Sequence, residues 1–173
     1  NINDPVNKYL PEDVPPLKCG GREMRLVDLA THTSGLPRLP GNISPADMTQ
    51  PYADYTTDRL FEFLREQARP SIAKSLGESV TGLLGIAPKQ SWSYSNLGVG
   101  LLGTLLERKA GRPYEELVLE RICQPLGMRS TRVTPDDAML ARLVPGHDAE
   151  GKPAAIWKFG CLAPCGALQS SVK

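Results

Sequence analysis

Residues 91–106, Ser-Trp-Ser-Tyr-Ser-Asn-Leu-Gly-Val-Gly-Leu-Leu-Gly-Thr-Leu-Leu, constrain this chain more than any other stretch. A polar, aromatic-bearing turn runs directly into a glycine-spaced apolar helix. Ser95 or Asn96 serves as its N-cap, because a short side-chain acceptor satisfies an orphan N–H of the first turn. From Leu97 to Ala110 the only charges are Glu107, Arg108 and Lys109, all near the C-terminal end, so most of this helix is expected to be buried. Gly98, Gly100 and Gly103 each weaken helix propensity by roughly 1 kcal/mol relative to alanine. That cost is repaid where another backbone packs closely against the helix. Tyr94 and Asn96 stand at its mouth, held rigidly, a position suited to chemistry.

At 173 residues the chain is long enough for one domain with a real core, and residues 1–173 are read as a single domain. A net charge of +1 gives no electrostatic case for binding nucleic acid or an anionic membrane. The apolar run Leu97–Leu106 is too short to span a bilayer. No signal peptide and no initiator Met are present, and the opening at Asn1 suggests a processed or excised chain. Periplasmic, secreted and cytoplasmic locations all stay open. Cys19, Cys123, Cys161 and Cys165 form no Cys-x-x-Cys pair and lie away from His32 and His147. They read as free thiols, with disulfides as the alternative, and neither a metal site nor a cofactor is expected.

Taken in order, residues 1–24 read as irregular, with a short helical turn begun at Asp4-Pro5-Val6. Arg25–His32 reads as a short helix, followed by Gly35. His32 is a candidate general base, or else a structural histidine that donates a hydrogen bond to fix the following turn. Leu36–Tyr55, with five prolines or glycines, is a long loop of the kind that is usually functional. A helix follows from a cap at Thr56-Thr57-Asp58 to Ala68, with Leu60, Phe61, Leu64 and Ala68 on its apolar face. Another begins around Pro113, placed at the first helical position, and carries through to Cys123. Ser130–Thr134 is extended, and Pro135-Asp136-Asp137 caps a short turn through Leu140. The segments around Leu143–His147 and Pro153–Trp157 flank Asp148-Ala149-Glu150-Gly151 as a β-hairpin. Pro164–Ser171 reads as a tight turn leading toward a helix.

Tyr94-Ser95-Asn96 followed by Leu-Gly-Val-Gly-Leu-Leu-Gly resembles the second active-site motif of the serine β-lactamase and penicillin-binding-protein superfamily. The resemblance is to the branch of class C β-lactamases, D-Ala-D-Ala peptidases and β-lactamase-like esterases. It extends to Asp4–Pro11, to Leu29–Pro37, to Pro125-Leu126-Gly127-Met128 and to Gly166–Ser171, in the family's order. It implies that Tyr94 is catalytic, taking the proton of a nucleophilic serine and returning it to the leaving group. It likewise implies that Asn96 binds substrate, orienting a side-chain amide. The loop 36–55 corresponds to a variable loop over the active-site rim. The family's nucleophile motif, Ser-x-x-Lys, lies upstream of the Asp4 block, and its third motif downstream of Gly166, so the chain resembles the middle of such an enzyme. Residues 71–90 depart from the family and read as an atypical insertion. Ser71 and Lys74 within it make a Ser-x-x-Lys in the wrong chain order, either a chance match on a surface helix or a working nucleophile pair.

The expected fold is therefore mainly α with short β-hairpins, like the helical subdomain of the β-lactamase/transpeptidase-like fold, with the α/β half largely absent. The expected function is that of a segment of a serine hydrolase acting by acyl-enzyme chemistry on β-lactam, D-Ala-D-Ala peptide or ester substrates. The alternative is a catalytically inactive truncated relative serving as a binding or assembly domain. The expected partners are a small-molecule or peptide acyl substrate, and no nucleic acid. Leu101, Leu102, Leu105 and Leu106 cannot all face one neighbouring helix, so self-association, or a chain supplying the missing half, is also expected.

Overall fold

The computed structural model describes residues 1–68 and 92–172. A 3-10 turn at Val6–Lys8 leads to β1 (Lys18–Cys19), β2 (Arg22–Glu23), α1 (Leu26–Ala30) and α2 (Thr57–Ala68). Beyond residue 92 come α3 (Asn96–Ala110), α4 (Tyr114–Val118), a π-helical turn Leu119–Cys123, β3 (Thr131–Arg132) and α5 (Asp137–Leu140). The chain continues through β4 (Gly146–His147), β5 (Pro153–Ala154), a 3-10 turn Gly160–Cys165 and β6 (Gln169–Ser170). The described residues are thus mostly helical, with three small antiparallel two-stranded sheets, β1–β2, β3–β6 and β4–β5.

The glycine-spaced helix α3 is the centre of the core. Ser95 caps it with extended backbone, and its Oγ accepts the Gly98 N–H at 2.8 Å. The same hydroxyl donates to the Pro37 carbonyl at 2.7 Å, fastening the cap to the loop 36–55. Gly111, at φ 66°, ends the helix in the left-handed conformation and donates its N–H to Glu107 O. Leu97, Leu101 and Leu105 recur every fourth residue and are buried, together with Val6, Met24, Leu29, Leu60 and Leu64 from the preceding elements. Each such leucine contributes roughly 1.5–3 kcal/mol by leaving water.

Two of the three glycines of α3, Gly100 and Gly103, receive another segment of chain closely, whereas Gly98 faces the Ser95 and Ser34 side chains. The 3-10 turn Gly160–Cys165 lies across the first two: a Cβ at Gly100 would stand 2.5 Å from Leu162 Cδ2 and 3.4 Å from Leu162 Cα, and one at Gly103 would overlap the Pro164 ring. Leu162 itself is fully buried. The partner of the glycine face is therefore a short turn of this same chain, not a second helix. Tyr55 secures that turn from the other side, its carbonyl accepting the Cys161 N–H at 2.9 Å. Its hydroxyl donates to Asn42 Oδ1 at 2.8 Å.

Several sequence expectations shift in detail. The first 24 residues contain the hairpin β1–β2, turned by Gly20 and Gly21, both at positive φ. Two glycines with left-handed dihedrals are what a tight hairpin turn requires. Phe63 joins Leu60, Phe61 and Leu64 in the buried face of α2. Pro113 is the N-cap of α4 rather than its first residue, because its ψ of 147° is extended. Within the described residues, the turn before Ser171 leads into strand β6, which pairs Ser170 with Thr131; their hydroxyls lie 2.7 Å apart. The stretch 71–90, with Ser71 and Lys74, lies outside the described residues. No helix among the described residues is long and apolar enough to cross a membrane.

Candidate active site

Tyr94 stands one residue before the cap of α3. Ser95 is 1% exposed, whereas Tyr94 is 40% exposed, so the chain buries the cap and presents the phenol to solvent. Two residues, His32 and Arg38, fix this turn through three acceptor atoms. Ser93 donates its N–H to His32 O at 2.8 Å, and Ser95 donates its N–H to His32 Nδ1 at 3.1 Å. Asn96 and Leu97 donate their N–H groups to Arg38 O at 3.0 and 3.2 Å. The first turn of α3 is thereby satisfied by Arg38 O and the Ser95 cap, the residues before it by His32, and Tyr94 is held between anchored neighbours.

His32 plays the structural part, with the opposite sense to the one expected. Its Nδ1 accepts a hydrogen bond rather than donating one, which leaves the ring proton on Nε2. Its backbone is in the left-handed region at φ 57°, uncommon for a residue with a Cβ. The bonds from Ser93 and Ser95 over-determine that conformation. The imidazole packs on the Tyr94 ring with centroids 4.7 Å apart and planes tilted by 35°, and Trp92 meets the imidazole edge-on at 6.2 Å.

Arg38 completes the surroundings. Its guanidinium carbon lies 5.1 Å from the centroid of the Tyr94 ring, a cation–π distance. Sequence reasoning missed this residue: a lone arginine in a proline-rich loop has no spacing that marks it. The only available signal was its place in the loop expected to rim the site. Asn96 is partly buried, and among the described residues no hydrogen bond engages its side-chain amide, whose N–H2 and C=O remain available for a ligand.

The other chemically notable groups are elsewhere and have structural roles. Buried Asp28 accepts both Arg22 Nη groups, at 2.7 and 2.8 Å, and the Arg25 N–H at 2.8 Å. Burial opposes its ionisation, but these donors prevail and hold its pKa below the ordinary carboxylate value. The four cysteines are free thiols. Burial pushes Cys161 up to about 12 and Cys165 up to about 11, so both stay protonated and poorly nucleophilic at neutral pH. Among the described residues no group of three potential ligands is placed to hold a metal ion.

Tyr94, 40% exposed, and Asn96, whose amide is uncommitted among the described residues, thus stand two residues apart at the head of a buried helix. The chain that carries them is mainly helical with small antiparallel sheets. It belongs to the β-lactamase family, whose model matches residues 1–163. It is 35% identical over 144 residues to the D-alanyl-D-alanine-carboxypeptidase/endopeptidase AmpH of Escherichia coli, covering 83% of this chain and 33% of that protein. It is 32% identical over 159 residues to the esterase EstB of Burkholderia gladioli, covering 90% of this chain and 37% of that protein. A β-lactamase/D-alanine carboxypeptidase from Yersinia pestis, solved with citrate, matches with a TM-score of 0.70 at 29% identity, over 99% of this chain and 43% of that one. A class C β-lactamase from Rhodobacter sphaeroides shares the fold with a TM-score of 0.71 at 23% identity, over 99% of this chain and 41% of its own. The chain spans about a third of the length of the curated relatives named here. Those two relatives are a carboxypeptidase/endopeptidase and an esterase, and the two solved structures are of β-lactamase or carboxypeptidase kind.

Proposed function

We propose that this chain is the helical-subdomain portion of a serine hydrolase that forms an acyl-enzyme with a β-lactam, a D-Ala-D-Ala peptide or an ester. Residues 71–90 are an atypical insertion relative to the family. Tyr94 is the proton-transfer group: its hydroxyl accepts the proton of the attacking serine and delivers it to the leaving group. Asn96 orients the amide of the acyl side chain. The nucleophile comes from a Ser-x-x-Lys motif outside the described residues. The observation that carries this reading is the contrast between buried Ser95 and exposed Tyr94, which points one phenol outward from a fixed backbone. A groove of about 450 Å3 lined by Ile2, Leu26, Leu102 and Leu106 supports the portion reading, since further polypeptide would cover it.

Tyr94→Phe in the longer protein tests the assignment, because it keeps the ring and its packing and removes only the hydroxyl. We expect kcat on nitrocefin or p-nitrophenyl butyrate to fall by about 10²–10⁴, the usual size of an acid–base contribution, with little change in Tm. An unchanged kcat would make Tyr94 a packing residue. Fluorophosphonate labelling mapped by mass spectrometry identifies the nucleophile, and a label on Ser71 would relocate it into the insertion.

A further inference from the structure

The cation beside Tyr94 has no assigned task. Arg22, Arg65 and Arg112 each hold a carboxylate, on Asp28, Asp13 and Glu116 respectively. Arg38 holds only an aromatic ring: among the described residues no carboxylate pairs with it and no acceptor engages its N–H groups. It is exposed, and the first turn of α3 has no acidic residue. Its own backbone is not free to drift, because Arg38 O takes the Asn96 and Leu97 N–H groups. A guanidinium stacked on a ring keeps its in-plane donors, and that planar fork matches the two oxygens of a carboxylate.

We propose that Arg38, anchored at the head of α3 with its guanidinium over the Tyr94 ring, is a specificity-determining residue that selects acyl substrates carrying a carboxylate. This rests on the reading of Tyr94 as the proton-transfer group. The stack sets the guanidinium within one ring's breadth of the reacting centre, so a substrate anion there gains a charge-assisted pair that a neutral substrate of the same length lacks. The side chain makes no bond in the acyl-transfer steps. It discriminates through binding that persists into the transition state, and therefore acts on kcat/KM.

The test compares two esters of similar acyl length, neutral p-nitrophenyl butyrate and the mono-p-nitrophenyl ester of glutaric acid. Both are hydrolysed by water to the acid and p-nitrophenol. The longer protein is assayed as wild type, Arg38→Gln and Arg38→Lys. We expect the glutarate-to-butyrate ratio of kcat/KM to fall about 10- to 100-fold in Arg38→Gln, the range of one charged hydrogen-bonded pair. Arg38→Lys keeps the charge without the fork and retains part of the ratio. High salt lowers the wild-type ratio and leaves that of Arg38→Gln flat. An equal fall on both esters, with the ratio unaltered, overturns the inference and makes Arg38 a support for the Tyr94 ring. A wild-type protein that hydrolyses neither ester overturns this inference; the hydrolase reading falls with it only if nitrocefin and a D-Ala-D-Ala peptide are also left intact.

Discussion

The helix α3 with the elements packed on it and the arm from Gln124 to Phe159 are built on different principles. Around α3, side chains from Val6 to Leu162 converge on one core, and Leu97, Leu101 and Leu162 are wholly removed from water. In the arm, Thr131 is the one residue that is buried, while Leu126 and Val144 are 70% and 86% exposed. The arm is shaped by local backbone and capping bonds instead: Asp136 Oδ1 accepts the Met139 N–H at 2.8 Å, and Asp148 N donates to Lys152 O at 2.9 Å. It is tied to the body by polar bonds and, at its C-terminal end, by Trp157 and Phe159 packing on the Tyr52 ring with centroids 5.6 and 5.5 Å away. Glu115 Oε1 accepts the Val133 and Thr134 N–H groups, and the Gln50 side chain bonds Ile156 O and Lys158 N. The difference teaches where rigidity is placed: Tyr94 grows from the packed half, and the weakly packed half is free to vary without moving it.

The sharpest way to break this contrast is in the core. Leu101→Ala removes a fully buried side chain beneath the glycine groove and is expected to cost about 2–5 kcal/mol in chemical denaturation. A loss below 1 kcal/mol would mean that α3 is not the centre of the core. A smaller effect is expected at Asp28, whose partner Arg22 is partly exposed, so Asp28→Asn costs about 1–3 kcal/mol at neutral pH. Its native pKa is lowered, so the ionised form stabilises the fold above the unfolded value of about 4. That contribution is lost as pH falls through the native value. Denaturation midpoints of wild type and Asp28→Asn should therefore converge on acidification, and a constant gap would remove Asp28 from the account. The smallest effect is predicted in the arm: Val144→Ala should lie within about 0.5 kcal/mol of wild type, whereas a core-sized loss would show that the arm is packed.

Local signals were legible where one short segment settles its own conformation. Ser95 and Asp136 cap helices, and the β4–β5 hairpin forms around its Asp-Ala-Glu-Gly turn. Gly20-Gly21 was an equally good hairpin signal that went unread among the prolines of the first residues. The pairing of β3 with β6 was not legible, because Thr131 and Ser170 have no local reason to meet. For the candidate site, Tyr94 and Asn96 were visible from their place at the helix mouth and from the family resemblance. Arg38 was not, since its relation to Tyr94 exists only after the loop 36–55 folds onto α3.

The sequence by itself determined that a buried, glycine-faced helix begins immediately after Tyr94-Ser95-Asn96, because period, caps and charge placement are properties of consecutive residues. Only the tertiary structure decided what fills the glycine face and what surrounds the tyrosine. A glycine announces that some backbone can approach, yet Leu162 and Pro164 are chosen by the whole packing of the chain. A histidine announces two nitrogens, yet which one accepts the Ser95 N–H follows from a left-handed backbone at His32 that distant bonds hold in place.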